Sequence, residues 1–112
     1  MGERGSKSVS AQASVPHSAS LEPDGGVRKI KPISIRDAID VRRQGGDVVV
    51  SGGDMASNRE LARMIEEQAS GRWKRCPPHA NAGRHALPHY QPEVRGPTGH
   101  TFYETTNRQA RG

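Results

Sequence analysis

Residues 76–90 read CPPHANAGRHALPHY, and His100 follows His89 after ten intervening residues. Three histidines (His79, His85 and His89), Arg84 and Tyr90 are packed among three prolines and a glycine. Proline and glycine exclude a regular helix there, so these groups are carried by a shaped loop or short extended pieces. Imidazoles exist in both protonation states near neutral pH and can serve as general acid and base. A cation beside them, such as Arg84, Arg95 or Lys74, would stabilise charge developing on a phosphate. Those are the parts for RNA cleavage without a metal, in which the 2′-hydroxyl attacks its own phosphodiester.

Two other chemistries compete. The spacing H-x5-H-x3-H-x10-H fits no common zinc pattern, and Cys76 would join only as an odd fifth ligand. Glu93 and Glu104 are the only local carboxylates, which serves an oxygen-liganded magnesium poorly. A histidine-rich nuclease using one metal, acting on DNA, stays open, although no metal ligand is assigned. In the third reading the histidines are structural, with His85 and His89 at turns around Gly83 and Pro88 and His100 opening a strand. For any single histidine that role is the default. Four in one basic, proline-pinned stretch favour the acid–base reading.

Charge is distributed unevenly. Residues 1–70 balance, whereas residues 71–112 hold seven Lys/Arg (Arg72, Lys74, Arg75, Arg84, Arg95, Arg108 and Arg111) against Glu93 and Glu104. The entire net charge of +5 therefore lies in the last 42 residues, beside four of the five histidines. That field points to an anionic partner, nucleic acid first. A solvated basic tail is the plain alternative. Lys74, Arg75, Arg95 and Tyr90 are the candidate substrate-binding residues. Tyr90 and Tyr103 could hydrogen-bond a phosphate or stack a base, or could fill a core that has few aromatics.

The elements that must position these groups come from the middle of the chain. Ser34 with Asp37 resembles a capping box. Ile35, Ala38, Ile39 and the stem of Arg42 then follow helical spacing up to Gly45-Gly46. Three valines, Val48 to Val50, predict a short strand buried on both sides. A second helix is capped by Ser57 or Asn58, presents Leu61, Met64, Ile65 and Gln68 on one face, and ends at Gly71. Asp54 is a turn residue or, less simply, an orienter of a histidine. RWKRC with Trp73 turned inward, LPHYQP and HTFYET supply short strands. The expected class is α+β: two N-terminal helices packed on a small, mainly antiparallel sheet, with a long structured loop.

Only 31% of the chain is apolar, below the ~45–50% usual for globular domains. Residues 1–28 hold few sizeable apolar groups and are expected to form a disordered arm. The folded unit is then 29–107, with 108–112 a disordered tail. No 18-residue apolar run and no apolar leader is present, so neither membrane insertion nor an ordinary signal peptide is expected. The single Cys76 excludes an internal disulfide and reads as a small, half-buried residue. The SGGD at 51–54 lacks the lysine and spacing of a phosphate-binding loop.

DVVV followed by NRELA, AGRHALPHYQP and GHTFYE resembles the C-terminal toxin domains of bacterial polymorphic toxin systems, over about residues 40 to 105. Such domains are mostly small nucleases, many of them compact helix-plus-sheet ribonucleases that use His, Arg and Tyr without metal. The resemblance implies that His79 or His89 and His100 are acid and base, that Arg84 binds the phosphate and that Tyr103 supports it. It also implies an endoribonuclease with no cofactor, delivered without an ordinary signal peptide into a target-cell cytoplasm, and an acidic immunity protein covering the basic face. A short chain beginning with Met departs from the pattern of a domain on a long carrier. It suits a detached module, a substrate of a signal-independent apparatus or a relic. A non-catalytic basic module binding nucleic acid or an acidic protein is the alternative function.

Overall fold

The computed structural model describes residues 13–78, 80–93 and 98–112. Over these residues the chain is α+β, with two helices and one mostly antiparallel six-stranded sheet. In chain order the elements are β1 (Val15–Leu21), β2 (Val27–Pro32), α1 (Ile35–Arg43), β3 (Asp47–Ser51), α2 (Met55–Ser70) and β4 (Trp73–Cys76). A 3-10 segment (Ala80–His85), β5 (His89–Pro92) and β6 (Thr101–Tyr103) follow. The strand order is β2-β1-β3-β6-β5-β4, and among the described strands the central β3–β6 pair alone is parallel.

The expected arm through residue 28 is corrected by β1, which pairs with both β2 and β3. A turn at Glu22–Gly26 closes the β1–β2 hairpin: Glu22 N–H donates to Gly26 O, Gly25 N–H to Glu22 O, and Gly25 adopts φ 92°. A segment poor in apolar side chains is held here by main-chain ladders on both of its edges. Its own burial capacity therefore understates its order. The expected disordered tail is likewise ordered. Arg111 N–H donates to Val27 O, Lys29 N–H donates to Arg111 O, and the Arg111 guanidinium pairs with Glu22 and Asp24 on the hairpin turn. That pairing holds the Asp24 carboxyl at about 2.

Ser34 caps α1 by accepting the Asp37 N–H at 3.0 Å, and Arg42 and Arg43 occupy its last turn. The cap of α2 is Asp54, whose Oδ1 accepts from Ser57 N at 2.7 Å, so the helix starts earlier than Ser57 or Asn58 would set it. Asp54 is thereby a helix cap and not an orienter of a histidine. Asn58 turns inward instead, donating to Gly53 O and Glu104 O and accepting from Gly53 N and Ser14 Oγ. The buried face of α2 is Asn58, Ala62, Ile65 and Glu66, rotated from the expected Leu61, Met64, Ile65 and Gln68. Its polar members are inside because each has buried partners.

Strand alternation divides the core into two layers. On the helix side, Val48, Val50, Tyr90 and Tyr103 pack with Ala38, Ala62 and Ile65, and Trp73 lies against them. On the other side, Val49 and Phe102 pack with Val27 and Leu87. Each fully buried Val, Leu, Ile or Phe stabilises the fold by ~1.5–3 kcal/mol. The edge strands carry Arg28, Lys29 and Lys31 at one side and Lys74 and Arg75 at the other, charges that discourage edge-to-edge pairing.

Candidate functional site

The ladder registers place His89 opposite Phe102, Phe102 beside Val49, and Val49 opposite His17. Cys76 lies opposite His89 on β4. Directly paired residues share a face, so this row crosses the sheet on the side away from the helices. His100, immediately before β6, folds onto the same row. Its ring centroid is 4.8 Å from that of His89 at an interplanar angle of 87°, and both rings contact Phe102 at 5.1 Å.

Each imidazole is oriented through Nδ1. Asp47 Oδ1 lies 3.1 Å from His100 Nδ1 and also accepts the His100 backbone N–H at 2.9 Å. Leu87 O lies 3.3 Å from His89 Nδ1. Carboxylate and carbonyl oxygens only accept, so both rings carry a proton on Nδ1, and the neutral ring has its lone pair on Nε2. The two differ in access. The His89 residue is 3% exposed, whereas the His100 side chain is 23% exposed.

The backbone that presents His100 is fixed by a buried ion pair. Arg42 Nε meets Glu66 Oε1 at 3.0 Å with both side chains fully buried. Arg42 Nη1 donates to Gly46 O and Thr98 O, each at 2.8 Å, and Nε also lies 3.0 Å from Thr101 Oγ1. Thr101 Oγ1 and Ser70 Oγ both donate to Glu66 at 2.7 Å. Gly99 crosses at φ 93°, and a Cβ there would lie 2.6 Å from the carbonyl oxygens of Gly45 and Gly46. Any side chain at 99 would push His100 out of place. By sequence Arg42 takes a place on the helical face through its stem, and Asp47 appears only within DVVV. Arginine at an apolar helical position was the one signal of a buried partner.

The other expected site residues are spread out. His85 turns away, its Nδ1 donating to Gln109 O at 3.0 Å. Arg84 is exposed on the 3-10 segment, its carbonyl accepting from Gln109 N. Lys74 shares the face of Cys76 and His89 by alternation and is exposed on the edge strand. His79 and Arg95 lie outside the described residues. Tyr90 and Tyr103 are buried, with ring centroids 5.6 Å apart, on the helix side. The sheet therefore separates Tyr103 from the imidazoles it was expected to support, because adjacent residues of a strand point to opposite faces. Arg75, opposite Tyr90, belongs with the tyrosines.

His17, the one histidine outside the basic segment, stands on β1 in the imidazole row, with Nδ1 donating to Val15 O at 3.1 Å. Burial pushes its pKa below the ordinary 6.5, and Lys29 acts in the same direction. Among the described residues, no three of His, Cys, Asp and Glu converge as a metal-binding set, and no helix is long and apolar enough to cross a membrane. Comparisons with protein-family models, with curated proteins and with solved structures return no match to this chain.

Proposed function

We propose that this chain is a metal-independent endoribonuclease of the bacterial toxin type. The observation that carries the reading is the His89–His100 ring pair, with His100 clamped by Asp47 and each Nδ1 set against an oxygen acceptor. In the proposed reaction His100, the more exposed imidazole, takes the 2′-hydroxyl proton on Nε2. The 2′-oxygen then bonds to phosphorus and the P–O5′ bond breaks. A second, protonated imidazole gives its proton to the departing 5′-oxygen. The products are a 2′,3′-cyclic phosphate and a 5′-hydroxyl. Asp47 holds the His100 ring in place. Lys74 and Arg84 are the cations offered to the phosphate. The second imidazole is His89 or His79, and single substitutions separate them.

The test is incubation with total RNA in EDTA, for the wild type and for His79→Ala, His89→Ala and His100→Ala. Cleavage is expected in the wild type, falling about 10²–10⁴-fold for each imidazole that moves a proton. Intact RNA with and without divalent metal would end the proposal, and cleavage that chelation stops would point to a metal-dependent nuclease.

The burial of His89 favours a second reading, a non-catalytic basic module, because a histidine packed on Phe102 with its Nδ1 on a carbonyl also serves as core. That reading predicts salt-sensitive binding of nucleic acid without turnover. Under the nuclease reading, an acidic immunity protein would cover the basic C-terminal third, with affinity that falls as salt rises, and the enzyme would act in a target-cell cytoplasm. Binding of such a protein with no salt dependence would remove the electrostatic part.

A further inference from the structure

On the helix side of the sheet, two buried tyrosines carry hydroxyls that no described residue satisfies. Tyr90 and Tyr103 are 3% and 4% exposed, and neither phenolic oxygen has a hydrogen-bond partner among the described residues. A buried side chain whose polar end has no protein partner offers that end to water, an ion or a ligand. The two ring centroids are 5.6 Å apart on one face of the sheet, in one neighbourhood.

Two guanidiniums border it. Arg75 stands directly opposite Tyr90 in the β4–β5 ladder and shares its face. Arg59 opens the second turn of α2, next to Asn58, whose amide donates to the carbonyl of Glu104, the residue after Tyr103. Neither Arg59 nor Arg75 has a carboxylate within ion-pair distance among the described residues. The acidic groups nearby are engaged elsewhere: Arg63 binds Glu60 and Glu67, and Trp73 Nε1 donates to Glu67. Burial pushes both phenols above their ordinary pKa, which keeps them as O–H donors, and the charges of Arg75 and Arg59 act on both.

Two unpaired cations and two unsatisfied donors call for an anion with several acceptor oxygens. We propose that Tyr90, Tyr103, Arg59 and Arg75 form a binding site for a phosphate oxyanion, across the sheet from the histidines. Guanidinium and phenol donors suit the tetrahedral spread of phosphate oxygens. The site does not depend on the nuclease reading, since it shares no residue with the imidazole row.

The probe is inorganic phosphate, followed by thermal shift against sodium chloride at matched ionic strength and by NMR of the tyrosine rings. Saturable phosphate binding with movement of both tyrosine ring signals is expected. It should weaken about tenfold or more in Arg59→Gln/Arg75→Gln, and by a smaller factor in Tyr103→Phe, which keeps the ring and its packing. His100→Asn should bind phosphate as the wild type does even if RNA cleavage is lost, which separates this site from the nuclease reading. A 5′-phosphorylated RNA oligomer compared with its unphosphorylated form tells a terminal phosphate from a backbone diester. The proposal is overturned if phosphate acts no differently from chloride, or if the double arginine variant binds it as tightly as the wild type.

Discussion

Asp47 and His100 are joined twice through one carboxylate oxygen, which accepts the backbone N–H of His100 at 2.9 Å and its ring Nδ1–H at 3.1 Å. Asp47 opens β3 and His100 precedes β6, two strands that run parallel, and Val48 N–H donates to His100 O at 3.1 Å. Ring and main chain of His100 are therefore set together by the residue that starts the central strand.

Two substitutions at Asp47 separate its structural and electrostatic parts. Asp47→Ala deprives a half-buried N–H of its acceptor and should cost ~1–3 kcal/mol in urea denaturation. Asp47→Asn keeps an acceptor oxygen but removes the carboxylate charge beside the ring. Its stability should stay within ~1 kcal/mol of the wild type, while RNA turnover falls about 10²-fold or more. Equal turnover in Asp47→Asn and wild type would remove Asp47 from the mechanism.

The Arg42–Glu66 pair makes a second prediction. Both side chains are fully buried and bonded to Thr98, Thr101, Gly46 and Ser70. Glu66→Ala strands a buried guanidinium and should destabilise by ~3–5 kcal/mol, enough to unfold much of a domain this small. The paired change Arg42→Met/Glu66→Leu leaves no charge behind and should recover most of that loss. Equilibrium denaturation of the single and double variants reads the difference. A double variant as unstable as Glu66→Ala would show that the hydrogen bonds, and not the charge balance, hold this region.

His17 gives a pH dependence with a definite sign. Its pKa is lower in the folded chain than the ordinary 6.5, chiefly through burial. The unfolded chain therefore binds the proton more readily in the interval below 6.5. The His17 contribution is fully present above that value and is lost as pH falls towards the folded pKa. Replacing His17 with Gln removes this titration. The difference in stability between wild type and His17→Gln should shift against the wild type between pH 7.5 and pH 5, as followed by urea midpoints. A difference that stays constant across that range would refute the assignment.

Much of this architecture can be traced to local chemistry. Val48 to Val50 form a strand because a run of β-branched residues between glycines suits a position buried on both faces, and Val49 serves one layer while Val48 and Val50 serve the other. Ser34, Gly45 and Gly71 bound their helices because capping and positive φ are properties of single residues. Alternation along HTFYET already implied that Phe102 and Tyr103 would part company, since neighbours on a strand cannot share a face.

What composition could not reveal was order bought from neighbours. Residues 15–21 carry little apolar surface, yet two flanking ladders make them β1. Whether Glu66 faces water or Arg42 is invisible in a helical period, because the burial of one charge depends on a partner 24 residues away. The meeting of His89 with His100 required the β5–β6 register and the parallel β3–β6 pair, which together bring Asp47 under the second ring. Residue types declared that imidazole chemistry was available. Only long-range strand pairing decided which two rings would touch, and which tyrosines and arginines the sheet would keep on its other side.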